Sequence, residues 1–357
     1  MKLIYFITAC LKSGFRFHRG IRAPSLLMAI MLTLVGCQHG ASSSEGDDNS
    51  AGSRTLAASN VTMQGHSVNE SFAPEGYKLV WGDEFDGNTL DSSKWMLTQG
   101  MGGYPDLKLL KDSSVLKVAD GFLQMNAIQY TDPEDEKIKY ATTYSVSTPG
   151  TMNFQYGYLE ICAKVPYKNG AWPSLWMKSV KDWGQATNVL VQPKYNAYMA
   201  EVDIFEVFSN EEKAIPNIHK WYYGSDGKGN GVHKQFSNNA PYYFIETDNL
   251  PEEYHVYGFE WTSEYMAMFV DGEQYMTYDI TDNGNFDADG VTTDMSGFHD
   301  PMYILLNNHI LTPLRTVLKE GYWEDKTVMD KDLPMEYSVD WIHLYQKPVV
   351  GALYTAK

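Results

Sequence analysis

Gly157-Tyr158-Leu159-Glu160-Ile161-Cys162-Ala163-Lys164-Val165 puts Leu159, Ile161, Ala163 and Val165 on one side of an extended chain. Tyr158, Glu160, Cys162 and Lys164 fall on the other. That period of two belongs to a half-buried β-strand and to no helix. The same pattern recurs in both directions. Tyr77-Lys78-Leu79-Val80-Trp81 and Gly121-Phe122-Leu123-Gln124-Met125-Asn126-Ala127 are short aromatic and β-branched runs bounded by turn residues. Met266-Ala267-Met268-Phe269-Val270, then Asp271-Gly272, then Glu273-Gln274-Tyr275 is a hairpin, because Asp-Gly supplies the positive φ angles of a tight primed turn. Tyr337-Ser338-Val339-Asp340-Trp341-Ile342-His343-Leu344-Tyr345 closes the series. With no long amphipathic pattern, no fixed-period repeat and no second linker, the expectation is one all-β sandwich of antiparallel sheets.

Composition agrees and adds limits. Of 357 residues, 43% are hydrophobic and 20% charged, as in an ordinary folded domain. Aromatics reach 14%, which suits sandwich packing first and only secondarily a face that binds sugars. The net charge is −17, and residues 1–36 hold five basic residues and no acidic one, so the remainder carries about −22. Nucleic acid is therefore not expected as a partner.

The basic residues Lys2, Lys12, Arg16, Arg19 and Arg22 precede the apolar run Ser25–Val35, too short to span a bilayer comfortably. The run ends in Leu34-Val35-Gly36-Cys37, which resembles the bacterial lipoprotein box. That resemblance implies a signal peptide at 1–36, lipidation of Cys37 and anchoring in the bacterial cell envelope, at the outer-membrane surface. With Cys10 removed and Cys37 lipidated, Cys162 has no disulfide partner. Residues 37–75 read as a flexible, Gly/Ser-rich tether, 76–348 as the folded domain and 349–357 as a tail. The expected oligomeric state is a monomer.

The chemistry is concentrated in Glu201-Val202-Asp203-Ile204-Phe205-Glu206. On a strand, Glu201 and Asp203 share one face, and strict alternation sends Glu206 to the other. A single-residue bulge between Asp203 and Glu206 returns it to the first face, and bulges often re-aim side chains beside active sites. Crowded carboxyls raise one another's pKa, so an acid and a base coexist near neutrality. Glycoside hydrolysis needs that combination, and a pair about 5–5.5 Å apart fits the retaining route. On these residues alone, a solvated strand face and a set of oxygen ligands for a cation stand open beside catalysis.

The surrounding motifs, in order along the chain, resemble glycoside hydrolase family 16. They are Trp81-Gly82-Asp83-Glu84-Phe85-Asp86-Gly87, Gly157–Glu160, Gly170-Ala171-Trp172-Pro173-Ser174-Leu175-Trp176-Met177, the acidic strand, Tyr254–Trp261, Val270-Asp271-Gly272 and Val339–Tyr345. The resemblance covers roughly residues 76–347. It implies a concanavalin-like β-jelly-roll with a concave substrate cleft. It further implies Glu201 as nucleophile, Glu206 as general acid then base, and Asp203 between them holding the nucleophile's charge state. No cofactor is required for that chemistry. The same resemblance implies substrate contacts at Trp172, Trp176, His219, Trp261 and Glu160, and a structural calcium held by Glu84, the Gly121 carbonyl and Asp340.

The family cuts β-glucans, algal galactans and N-acetyllactosamine-rich host glycans. Two departures from its glucanase pattern favour another sugar. Cys162 stands where an Arg is common, and Leu306-Asn307-Asn308-His309-Ile310-Leu311-Thr312-Pro313 replaces an Asn-x-Ala-Val-Gly-Gly run. Both are expected to border the cleft, and the segment from Gly184 to Met199 is expected to wall one end of it. The function expected is thus an endo-acting retaining glycosidase for a β-galactoside polymer, of the agar or porphyran type or of the keratan or mucin O-glycan type. The alternatives are an endo-β-1,3(4)-glucanase and a catalytically silent glycan-binding protein.

Overall fold

The strand read at residues 157–165 forms as Gly157–Lys164. A computed structural model of the chain describes residues 71–355 except 102–103, 148–150, 181–196, 224–231, 236–244, 247–252, 282–294, 315–325 and 349–351. Cys37, the expected signal peptide and most of the expected tether lie outside the described residues, as does most of the expected cleft wall.

Two antiparallel sheets face one another. The first has Gly157–Lys164 between His255–Trp261 and Met335–Gln346, then continues through Tyr265–Val270 to Glu273–Asp279 on one side and through Phe122–Gln129 on the other. The second runs Val232–Gln235, Lys213–Tyr223, Ala197–Glu206, Ala171–Ser179, Met302–Ile310 and Tyr144–Val146. Alternation decides what each strand sends inward. Leu159, Ile161 and Ala163 from the first sheet meet Leu175, Met177, Val202, Ile204, Ile304 and Leu306 from the second in one buried cluster. That shared core makes the fold an all-β sandwich of two packed layers.

The predicted hairpin forms, with Asp271 at φ 50° and Gly272 at φ 79°. Both values are positive, as a primed turn requires. The two ends of the domain differ from expectation. Residues 71–75, assigned to the tether, include Phe72, which packs on the outer side of the first sheet beside Cys162, Val256, Tyr254 and Trp341. The expected tail contains another strand, Ala352–Thr355, paired with Met152–Gln155.

Candidate active site

The acidic run lies at the end of Ala197–Glu206, between Ala171–Ser179 and Lys213–Tyr223. Its predicted bulge is present. Between Asp203 and Glu206 the strand advances three residues while its neighbour advances two, from Asn217 to Ile215. Ile204 has no register partner on either flanking strand. As a result Ile204 and Phe205 both enter the core, and Glu206 returns to the face that carries Glu201 and Asp203. The Tyr275 hydroxyl, from the opposite sheet, donates to the Ile204 carbonyl at 2.9 Å. It meets the carbonyl of the residue that the bulge takes out of register.

The three carboxyls have different partners. His219 sits opposite Glu201 in register, and its Nε2 lies 2.8 Å from Asp203 Oδ2. Burial pulls the imidazole's pKa down, but the charge of Asp203 and its hydrogen bond, helped by Glu201 and Glu206, push it up to about 9. At neutral pH it is therefore an imidazolium paired with Asp203. Lys178 is the register partner of Glu201, with Nζ 3.7 Å from Oε2. Trp172 Nε1 donates to Glu206 Oε1 at 2.7 Å. The Glu206 carboxyl is held well above the ordinary carboxylate range, first by burial and then by the charge of Asp203. The Trp172 hydrogen bond and His219 pull the other way. One face therefore carries two carboxyls with cationic partners and one whose pKa is raised by burial, the asymmetry that acid–base glycoside cleavage uses.

Both cleft tryptophans expected from sequence are half-buried on this face, four residues apart on one strand. Neither is a bare platform. Trp172 stacks on His309 with ring centroids 5.0 Å apart and tilts against Phe208 at 5.2 Å. Trp176 donates Nε1 to Asn307 Oδ1 at 2.5 Å. Asn307 and His309 belong to the strand whose sequence departs from the glucanase pattern, so that departure does border the site.

Three expectations fail, and strand parity explains each. Trp261 points between the sheets, fully buried, and donates Nε1 to the Phe298 carbonyl at 3.0 Å. Glu160 and Cys162 stand on the first sheet with Leu159 and Ile161 turned into the core between them. Their side chains therefore point out of the far side of the sandwich, away from the catalytic sheet. There Glu160 Oε2 accepts the Phe72 amide at 3.1 Å. Neither is a substrate contact, and the Cys162 departure says nothing about the sugar.

The proposed calcium ligands also fit poorly. Glu84 Oε1 is occupied by His343 Nε2 at 2.5 Å, a donor that competes with a cation for the same oxygen. Among the described residues the one set of three acidic or histidine side chains close enough to share an ion is Glu201, Asp203 and His219, whose ligand atoms lie within 4.8 Å of one another. Those atoms already pair with Lys178 and with each other, and no chemistry is assigned to a metal there. Lys178 is the member of the site that sequence reading missed. Its signal was its place two residues beyond Trp176, on the same strand face.

Comparison with known proteins places this arrangement. The sequence profile of Glycosyl hydrolases family 16 matches residues 117–298, just over half of the chain. Glucan endo-1,3-beta-glucosidase A1 of Niallia circulans is 25% identical over 293 residues, a match that takes in 76% of this chain and 38% of that protein. The chain therefore spans well under half the length of that relative. Beta-porphyranase D of Zobellia galactanivorans is 28% identical over 202 residues, covering 51% of this chain and 43% of that protein. A solved structure from work on endo-acting O-glycanases, which prominent members of the human gut microbiota express to initiate mucin breakdown, matches with a TM-score of 0.56 at 22% identity. That match covers 77% of this chain and 92% of the other, and it speaks to the fold. With the jelly-roll sandwich shared and the profile lying across the catalytic strand, the chain belongs to the family 16 glycoside hydrolases.

Proposed function

We propose that the chain is a retaining endo-β-glycosidase that hydrolyses internal linkages of a β-galactoside-containing polysaccharide or O-glycan. The observation that carries the mechanism is the bulge that brings Glu206, its pKa raised by burial, onto the face of Glu201 and Asp203. In the first step a Glu201 oxygen bonds the anomeric carbon, the glycosidic C–O bond breaks, and the departing oxygen takes the proton of Glu206. In the second step water, giving its proton to Glu206, displaces Glu201 from the sugar. Asp203, hydrogen-bonded to His219, stands between them. No cofactor takes part.

The substrate class rests on the strand Met302–Ile310. His309 stacks on Trp172 in a stretch that departs from the glucanase run, whereas Asn307, which accepts from Trp176, matches the Asn that opens that run and makes no distinction between sugars. Similarity to a protein named beta-porphyranase supports a galactan reading, and similarity to a glucan endo-1,3-beta-glucosidase keeps the glucanase reading as the second choice. The chain is further proposed to act as a monomer, lipid-anchored through Cys37 at the cell envelope, where large glycans are met.

The test of function is product separation after incubating the protein from residue 38 with laminarin, mixed-linkage glucan, agarose, porphyran, keratan and mucin O-glycans. Ladders from a galactoside polymer support the proposal, and their anomeric configuration by NMR reports retention. Ladders from glucans alone overturn the substrate class and leave the mechanism standing. If no polymer yields product although binding is measurable, the hydrolase reading gives way to a glycan-binding protein.

A further inference from the structure

Lys178 is not explained by folding. It is 8% exposed, on a strand where its neighbours Met177 and Ser179 are already fully enclosed, and a lysine so placed is costly unless its charge is answered. It faces outward with Trp176, whose ring centroid is 5.4 Å from Nζ, and lies across the ladder from Glu201 at 3.7 Å. On its other side in register is Tyr303, fully buried, which joins Trp176 in a small apolar cluster. The ammonium is thus held by a packed wall and directed at the carboxylate assigned to nucleophilic attack.

The charged and titratable groups on this face come from five strands, with Tyr144 on Tyr144–Val146. Lys178 stands on Ala171–Ser179, and Glu201, Asp203 and Glu206 on Ala197–Glu206. His219 stands on Lys213–Tyr223, and Tyr303 and His309 on Met302–Ile310. Before reaction Lys178 pairs with Glu201 and His219 with Asp203.

We infer that Lys178 is a positioning residue for Glu201: it holds the nucleophile ionised and aimed in the free enzyme. The inference rests on the retaining hydrolase reading and goes beyond it, because it assigns the ammonium a role in nucleophilic attack. Removing the charge raises the pH at which the nucleophile ionises, since an opposite charge at this range lowers a carboxyl pKa by about 1–3.

The experiment compares full-length wild type with Lys178→Met and Lys178→Arg, on the polymer that wild type cleaves. It records the pH profile of kcat/KM, the split between kcat and KM, and thermal melting. The expected result for Lys178→Met is an acidic limb displaced upward by about one pH unit or more. Its kcat falls at least tenfold with KM changed less than twofold, and Lys178→Arg restores the wild-type limb. A Lys178→Met protein that melts like wild type and keeps its acidic limb overturns the inference. So does a rise in KM with no movement of the limb, which would make Lys178 a support for Trp176 alone. If Lys178→Met does not fold, Lys178→Arg decides, because a folded arginine variant with a displaced limb contradicts a charge role. Absence of turnover in wild type is a separate outcome, since it removes the hydrolase reading and this inference with it.

Discussion

Glu206 and Glu160 invite comparison because they share so much. Each is a glutamate inside a sheet, and each is held above the ordinary carboxylate range with burial as the first cause. Their surroundings then diverge. Glu206 stands on the outer face of the catalytic sheet, where the charges of Asp203 and Glu201 add to burial and Trp172 and His219 oppose it. Glu160 stands on the far side of the sandwich, sealed by Phe72, where Ser71, the Phe72 amide, Tyr345 and His343 all pull its pKa down. A raised pKa marks a buried carboxyl in both places. It marks a site only where other carboxyls crowd the same open face.

The largest effect that tests this contrast is Glu206→Gln. Loss of the general acid and base should lower kcat by about 10²–10⁴-fold while the fold is kept. At pH values above the ordinary carboxylate range the same substitution should raise the melting temperature. A carboxyl whose folded pKa is raised gives stability that is complete at low pH and is lost as pH climbs through that folded value, and glutamine does not pay this loss. Activity that survives in the glutamine variant would place the acid elsewhere.

Next in size is Tyr275→Phe. The phenol reaches from the opposite sheet to the Ile204 carbonyl, the residue the bulge displaces from register. Without the hydroxyl that carbonyl loses its donor, at a cost of about 1–3 kcal/mol of stability. If the bulge slackens, Glu206 shifts, and small misplacements at a reacting centre cost up to about 10²-fold in rate. The expected reading is a lower kcat with KM little changed, measured beside the fall in melting temperature. A drop in stability with kcat intact would show that the bulge holds its shape unaided.

How much of this contrast the sequence carried depends on the level asked. The bulge was legible because Glu201, Asp203 and Glu206 share a face only with one extra residue between them, and the ladder shows that residue. Trp172, Trp176 and His219 came from the family resemblance, and the strands beside the acidic run carry them. Trp261 and Glu160 were misplaced for a physical reason. Alternation tells which residues of a strand share a side, but it does not tell which side faces the core or to which of two sheets the strand belongs. Those facts come from long-range pairing, such as Gly157 opposite Trp261. Lys178 escaped for a related reason: its meaning lies in Glu201 across the ladder, not in its neighbours along the chain.

Trp172→Phe sharpens the comparison from the catalytic side, with a smaller effect. The indole donates to Glu206 at 2.7 Å and so opposes the rise in that carboxyl's pKa. Phenylalanine keeps a ring against His309 and Phe208 but removes the donor. A hydrogen bond to a charged acceptor is worth about 1.5–3 kcal/mol, and one pH unit corresponds to about 1.4, so the alkaline limb of activity should move up by about one to two pH units. Were Trp172 purely a stacking surface for sugar, KM would rise and the alkaline limb would stay where it is.

The smallest effect, and the one that isolates the structural carboxyl, is expected from Glu160→Gln. It should leave kcat and KM unchanged on whatever polymer the wild type cleaves, because the side chain points away from the catalytic sheet. Its signature is confined to stability. In wild type the proton on Glu160 supports the fold fully below the ordinary carboxylate range, and that support fades as pH rises through the raised folded value. Glutamine should flatten this slope, less than Glu206→Gln does, because the Phe72 amide and neighbouring hydroxyls already favour the charged form. Melting curves across pH for the two variants therefore share a direction and differ in size, whereas their rates differ by orders of magnitude. A Glu160→Gln protein with impaired turnover would mean that the outer sheet reaches the site through the core, by way of Leu159 and Ile161 packed against Val202 and Ile204.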